Sequence, residues 1–330
     1  MDITTNYLGM KLNTPVIAGS SGLTDSVDKI AALAHHGAGA VVLKSIFEEE
    51  ILFQFEDVLK DAEKDGVDLD QFDYFDFHLK GKKINHYIKL IQAAKQAVDI
   101  PVIASINCVS SHEWTAFADR LQEAGADALE LNMFFLPSDF ERTSMEQEKA
   151  YFKVIDKVLA AVSIPVALKI SYYFSSLGPM IQRLSKTGIK GLVLFNRFFS
   201  PDFDIDKMTV KPSFVFSSPA ELALSLRWIA IMANKVDCDL AASTGVHDGP
   251  ALIKQLLAGA KSVQTVSSLY RKGPAHIETM LDNLKAWMQT HEYHCLDDFR
   301  GRLSQEATAN PAAYERVQFM RYFEGGKDLT

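Results

Sequence analysis

Two hydrophobic patterns alternate along the whole chain. Short apolar runs recur as TPVIAG (14–19), AVVLKS (40–45), PVIASIN (101–107), ALELNMF (128–134), PVALKIS (165–171), GLVLFN (191–196), CDLAAS (238–243) and SVQTVS (262–267). Runs rich in Val, Ile and Leu with no strict alternation suit strands covered on both faces. Between them lie stretches with helical spacing, such as VDKIAALAHHGAG, WTAFADRLQEAGAD, PMIQRLSKTGIK and PALIKQLLAGAK. Several close on glycine (Gly37, Gly125, Gly188, Gly259), where a left-handed residue stops a helix. Three of the predicted strands open on proline (Pro15, Pro101 and Pro165), which needs no N–H partner at a first strand position. Strands alternating with helices predict right-handed crossovers and a parallel sheet. No G-x-G-x-x-G follows the first strand, so the prediction is α/β, a closed (β/α)8 TIM barrel rather than a doubly wound sheet.

Two segments break this rhythm. Residues 47–80 form an acidic and aromatic insertion after strand two, and residues 197–217 read as a hairpin-like excursion after strand six. Both follow strand C-terminal ends, where barrels build their sites, although each also reads as a plain surface insertion. With 330 residues, the whole of 1–330 is expected to form one barrel domain.

Composition narrows the function classes. A net charge of −8 and no basic stripe argue against a nucleic-acid surface. No apolar run approaches the roughly 18 residues of a membrane span. The opening MDITTNYLGMKL has no signal-peptide core. Three scattered cysteines, Cys108, Cys238 and Cys295, suit reduced thiols, so a cytoplasmic location is expected. HEYHC (291–295) lacks a zinc spacing and reads as a helix end, and no metal is expected. His35–His36 suits a helix C-terminus. Asp127 and Glu130 fall on opposite strand faces, so they are not an acid/base couple.

The strand ends carry the chemistry. They present Gly19-Ser20-Ser21, Lys44-Ser45, Asn107, Asn132, Lys169, Asn196-Arg197, Ser243-Thr244-Gly245 and Ser267-Ser268. Lysine at the end of an apolar strand is informative because it is seldom buried without a partner. Two such lysines at one barrel mouth point to an anionic or electron-accepting ligand; each alone reads as a surface charge. The small residues after strands seven and eight form the usual barrel phosphate seat, though small residues also pack barrel rims.

Together these motifs resemble the dihydroorotate dehydrogenase family of FMN-binding barrels over nearly the whole chain. NTPVIAGSSG resembles its strand-one flavin loop, AVVLKS its lysine-serine pair, and SIN and ELN its strand-three and strand-four asparagines. ALKISYYF resembles its strand-five lysine segment, DLAASTGVHDGPALIKQLLAGAKSVQTVSSLYRKGP its phosphate region, and EYHCLDDFRGRL its closing helix. The resemblance implies an FMN-dependent oxidoreductase acting on a CH–CH group of a small, anionic substrate. It places FMN against Gly19, Ser20, Lys44, Ser45, Asn107, Asn132 and Lys169, with Thr244, Gly245, Val266 and Ser267 at the phosphate. Substrate contacts fall to Lys44, Asn132, Asn196 and Arg197. Lys169 near the flavin N1 edge would stabilise the anionic reduced ring. A homodimer is also implied, and pyrimidine biosynthesis if dihydroorotate is the substrate.

The departures bear on the reaction. Where the family carries a Cys or Ser that removes a proton, ELNMFFLPSD places Phe135, which cannot. The base is then unassigned, with Ser138 and Tyr172 as candidates and Ser144 a further one. Arg197 suits a substrate carboxylate or phosphate, and equally a salt bridge to Asp202, Asp204 or the acidic insertion. A non-catalytic flavin-binding barrel, serving as sensor or subunit, fits the loss of the base. A phosphate-binding lyase or aldolase with Lys44 or Lys169 as Schiff-base former is a third reading.

Overall fold

The computed structural model describes residues 1–47, 72–107, 114–197, 200–213 and 215–315. Eight parallel strands close on themselves: β3 (Val16–Ala18), β4 (Ala40–Val42), β6 (Val102–Asn107), β7 (Ala128–Met133), β8 (Val166–Ile170), β9 (Gly191–Leu194), β12 (Asp239–Ala242) and β13 (Ser262–Thr265). β13 pairs back onto β3, and β4 pairs with β6, so no barrel strand is left as an edge. Every apolar run named above holds one barrel strand. A two-residue strand, β5 (Ile46–Phe47), adds to the mouth end of β6.

Helices cover the outside: α1 (Val27–His35), α2 (Phe72–Ala97), α3 (Trp114–Glu123), α4 (Ser144–Ala161), α5 (Leu177–Ser185), α6 (Leu222–Met232) and α7 (Gly249–Ala258). Leu177, Met180, Ile181 and Leu184 of α5 recur at helical spacing and are buried against the barrel. Each such side chain stabilises the fold by about 1.5–3 kcal/mol. The turn glycines Gly37, Gly125, Gly188 and Gly259 all lie at positive φ, from +91° to +118°. The predicted 47–80 insertion lies partly outside the described residues; from Phe72 the chain is already helix α2. The predicted excursion is an antiparallel hairpin of β10 (Ser200–Asp204) and β11 (Thr209–Ser213).

A second hairpin closes the barrel floor. β1 (Thr5–Tyr7) and β2 (Met10–Leu12) turn through Leu8 and Gly9, both at positive φ. Tyr7, Leu8 and Leu12 pack among the inward residues Ile17, Val42, Ile103 and Val193, with alanines at positions 40, 128, 167 and 241. Small residues low in the barrel make room for this plug. A Cβ on Gly191 would stand 2.5 Å from Leu8 Cδ2. The C-terminal segment lies beside the same floor: Asp2 bridges to Cys295, and Arg300 donates to Thr5 Oγ1 at 2.8 Å. There α9 (His276–Thr290) contributes Trp287, which packs with His291, Tyr293 and Phe299, so HEYHC serves aromatic packing.

Candidate active site

Side chains two residues apart along a barrel strand both point inward. Above the apolar floor this parity raises a polar belt of Ser105, Glu130, Lys169 and Gln264, each buried. Lys169 Nζ donates to Gln264 Oε1 at 2.8 Å, and Gln264 Nε2 donates to Glu130 Oε2 at 2.5 Å. Lys169 Nζ also lies 3.8 Å from Glu130 Oε1. Asp127 instead faces outward, taking Lys95 Nζ at 2.7 Å. Sequence reasoning missed Glu130, Gln264 and Ser105 as site residues. The signal available was a lone polar residue interrupting an apolar strand; that each one faces inward is visible only in the closed barrel.

A hydroxyl chain joins the first three strands. Ser45 Oγ lies 3.0 Å from Ser20 Oγ and 2.7 Å from Ser105 Oγ, and Ser45 N–H donates to Ser20 Oγ at 2.9 Å. Asn107 is buried, and its Oδ1 has no hydrogen-bond partner among the described residues. Lys44 is exposed at the end of its strand. Gly19 packs against strand eight, where a Cβ would come within 2.9 Å of Val266 Cγ2.

The barrel mouth holds a cavity in two lobes that share Asn196, Arg197, Ser243 and Thr244. The polar lobe, about 230 Å³, brings Ser20 and Lys169 together with Thr244, Gly245, Val266 and Ser267. Thr244 and Gly245 both adopt positive φ, +75° and +79°, so their turn takes the backbone shape that tandem glycines favour. Thr244 Oγ1 steadies it by donating to Phe195 O at 3.1 Å. Asp248 already caps α7 by accepting from Ala251 N–H, whereas α8 (Ser267–Lys272) has no side-chain cap. An anion in this lobe therefore meets backbone N–H groups at the 244–245 turn and the start of α8.

Ser217, from the end of the excursion, reaches the same lobe. Its Oγ lies 2.9 Å from His247 Nε2, and its N–H donates to Ser267 Oγ at 2.9 Å. Burial, with Arg271 and Lys272 nearby, lowers the pKa of His247. Its imidazole is therefore neutral at pH 7.

The second lobe, about 500 Å³, is aromatic: Phe134, Tyr172, Tyr173 and Phe195 line it together with Leu136 and Leu224. Asn196 Nδ2 donates to Asn132 Oδ1 at 2.8 Å, so the two predicted substrate asparagines meet at its edge. Arg197 is engaged by the protein, but not by the predicted aspartates. Its Nε binds Glu221 Oε1 at 2.6 Å and its Nη1 binds Val215 O at 2.9 Å. Burial works against the Glu221 carboxylate, yet the Ser218 N–H and Arg197 hold its pKa below the usual range.

The strand-four loop differs from the expectation. Phe135 turns outward to pack edge-on against Tyr151 at 4.9 Å, while Phe134 lines the aromatic lobe. Ser138 is exposed and lines neither lobe, and Ser144 begins α4. Tyr172 does line the lobe, with its ring centroid 4.7 Å from that of Tyr173. A hydrogen bond with Tyr173, followed by burial, raises the Tyr172 pKa, so its phenol holds its proton at neutral pH. Far from the mouth, burial beside Asp239 and Asp237 pushes the Cys238 thiol up to about 12. At pH 8 only about one Cys238 in ten thousand is then thiolate, and alkylation of the native protein is expected to be slow there until urea unfolds it.

Residues 69–288 match the family model for dihydroorotate dehydrogenase. Among curated relatives, the catalytic subunit of dihydroorotate dehydrogenase B (NAD(+)) from Thermoplasma acidophilum is 23% identical, covering 91% of this chain and 98% of that protein. A putative dihydroorotate dehydrogenase A (fumarate) from Aeropyrum pernix is 26% identical over 64% of this chain and 71% of its own length. Dihydropyrimidine dehydrogenase (NADP(+)) from Arabidopsis thaliana is 24% identical over 62% of this chain and 52% of its own. With the closed barrel and a lysine buried at its mouth, the match places this chain in the dihydroorotate dehydrogenase family of oxidoreductases.

Proposed function

We propose that this barrel binds FMN and uses it to oxidise or reduce a carbon–carbon bond of a small ring substrate. The observation that carries the reading is the polar lobe, where Lys169 is delivered to the same space as the left-handed Thr244–Gly245 turn. The turn and the start of α8 suit the phosphate. Lys169, Ser20, Ser45 and Asn107, whose Oδ1 has no partner among the described residues, suit the polar edges of an isoalloxazine. FMN, when bound, supplies two-electron transfer; the protein supplies position, charge and a proton.

The substrate occupies the aromatic lobe, with the Asn132–Asn196 amide pair offering a donor and an acceptor to its edge. The names of the relatives favour a pyrimidine-type ring. Arg197 lines both lobes and is the cation nearest an anionic group on it, although Glu221 already offsets part of its charge; Lys44, exposed at its strand end, lines neither lobe. Tyr172 is the proton-carrying residue of this reading. Its protonated phenol suits donation to a substrate carbon better than abstraction from one, which favours turnover in the direction of C=C reduction.

The purified protein should show flavin absorbance, or acquire it on incubation with FMN. A preparation that stays colourless after reconstitution overturns the reading. Anaerobic flavin bleaching by dihydroorotate, compared with a panel of other reduced ring acids, then identifies the substrate. Tyr172→Phe should lower turnover about 100-fold while FMN affinity stays unchanged; unaltered turnover would remove Tyr172 from the scheme. The resemblance and the relatives' naming as catalytic subunits also support a homodimer with an accessory redox subunit. Sedimentation of the FMN-loaded protein, alone and after affinity capture from its own host, tests both.

A further inference from the structure

Lys169 is not an isolated cation. Its Nζ gives one hydrogen bond to Gln264 Oε1, and the other end of the same amide gives one to Glu130 Oε2. The carboxylate stands 3.8 Å from the ammonium through its second oxygen, Oε1, which is buried and accepts no hydrogen bond. All three residues are nearly enclosed, with 1% exposure for Glu130 and Gln264 and 8% for Lys169. Lys169 and Gln264 line the polar lobe, whereas Glu130 lies behind them in the barrel interior. The ligand space therefore faces a cation whose field is partly cancelled from behind by a fixed anion. In a low-dielectric interior that cancellation is large at contact distance and weaker a few ångströms further on.

We propose that Glu130 is a positioning residue that, through Gln264, fixes the place and effective charge of Lys169 and so sets how strongly the barrel favours the reduced form of the bound flavin. The proposal rests on the FMN reading above and deepens it. Gln264 is more than a spacer: an ammonium only donates and a carboxylate only accepts, so the amide must turn its carbonyl to Lys169 and its NH2 to Glu130. The bridge thus holds the ammonium toward the ligand and keeps it from collapsing onto the carboxylate. Glu130 Oε1 is left with the ammonium at 3.8 Å and, among the described residues, no hydrogen bond.

Two substitutions move the charge in opposite senses. Glu130→Gln keeps the shape and an acceptor for Gln264 but removes the negative charge. The reduced flavin should then be favoured about tenfold, a rise in midpoint potential of about 30 mV for a two-electron couple. Gln264→Leu removes the bridge and lets Lys169 pair directly with Glu130, so the potential should fall. Sulfite adduct formation gives a second readout without turnover. Addition at N5 places negative charge at the N1/O2 edge, so the sulfite dissociation constant should drop about tenfold in Glu130→Gln and rise in Gln264→Leu.

Dye-coupled potentiometry and sulfite titration of the FMN-loaded proteins, with FMN stoichiometry measured alongside, make the test. Opposite shifts in the two variants support the proposal. Full FMN occupancy with the potential within about 10 mV of the parent and sulfite affinity within twofold of it in both variants overturns it while leaving the cofactor reading intact. If Glu130→Gln does not fold, Gln264→Leu alone decides by the sign of its shift. Failure of the parent protein to take up FMN overturns the cofactor reading instead.

Discussion

Replacing Lys169 with methionine is expected to destabilise the fold by about 3–5 kcal/mol at neutral pH, because it leaves Glu130 as an uncompensated charge inside the barrel. Glu130 is 1% exposed, its Oε1 has only the lysine ammonium at 3.8 Å among the described residues, and Gln264 cannot supply the missing charge. Lys169→Met combined with Glu130→Gln removes both charges and should recover stability to within about 1 kcal/mol of the parent. Urea unfolding at neutral pH measures all three proteins. Equal stability of Lys169→Met and the parent would show that the carboxylate does not depend on the lysine. In the FMN-loaded protein the same substitution should slow flavin reduction at least 100-fold, the usual effect of losing one group aimed at developing charge.

Gly245→Ala carries the second large effect. An added Cβ would fall 2.1 Å from Leu222 N and 2.6 Å from Leu222 Cα, both backbone atoms at the start of α6. No rotamer relieves such a clash, and φ of +79° disfavours any L side chain there. Forced displacement and backbone strain together should destabilise the protein by about 3–5 kcal/mol and weaken FMN binding more than 100-fold. Thr244→Gly is the control. Its φ of +75° already suits glycine, and the lost bond to Phe195 O offsets the relief of strain, so stability should change by about 1 kcal/mol or less. Thermal unfolding and FMN fluorescence titration separate the two variants. Equal behaviour would mean that the turn is not shaped by these contacts.

The barrel was legible because its signals are local. Each strand is a short apolar run and each helix carries its own spacing and glycine stop, so neighbouring residues along the chain suffice to place them. The hairpin excursion was legible for the same reason. The floor hairpin was not, since Tyr7 and Leu8 acquire their meaning only from Gly191 across the barrel. Arg197 likewise ended on Glu221, which follows the excursion, rather than on Asp202 or Asp204 within it. The resemblance implied Phe135 for the family's base position, but the backbone turns it toward Tyr151 and leaves Phe134 and Tyr172 at the cavity.

The lysine at the barrel mouth shows where local information ends. Sequence alone determined that an apolar strand ends near Lys169, that such a lysine needs a partner, and that small residues follow strands seven and eight. It did not determine the partner. Gln264 lies 95 residues from Lys169, and the Gln264–Glu130 bond spans 134. In strands that are apolar throughout, a single Glu or Gln gives no sign of facing the interior or the helical shell. Only closure of the ring fixes that parity, because the register from β6 round to β13 decides which side chains share a layer. Tertiary structure therefore decided the charge balance beneath the polar lobe, while the sequence determined that a charge would stand there.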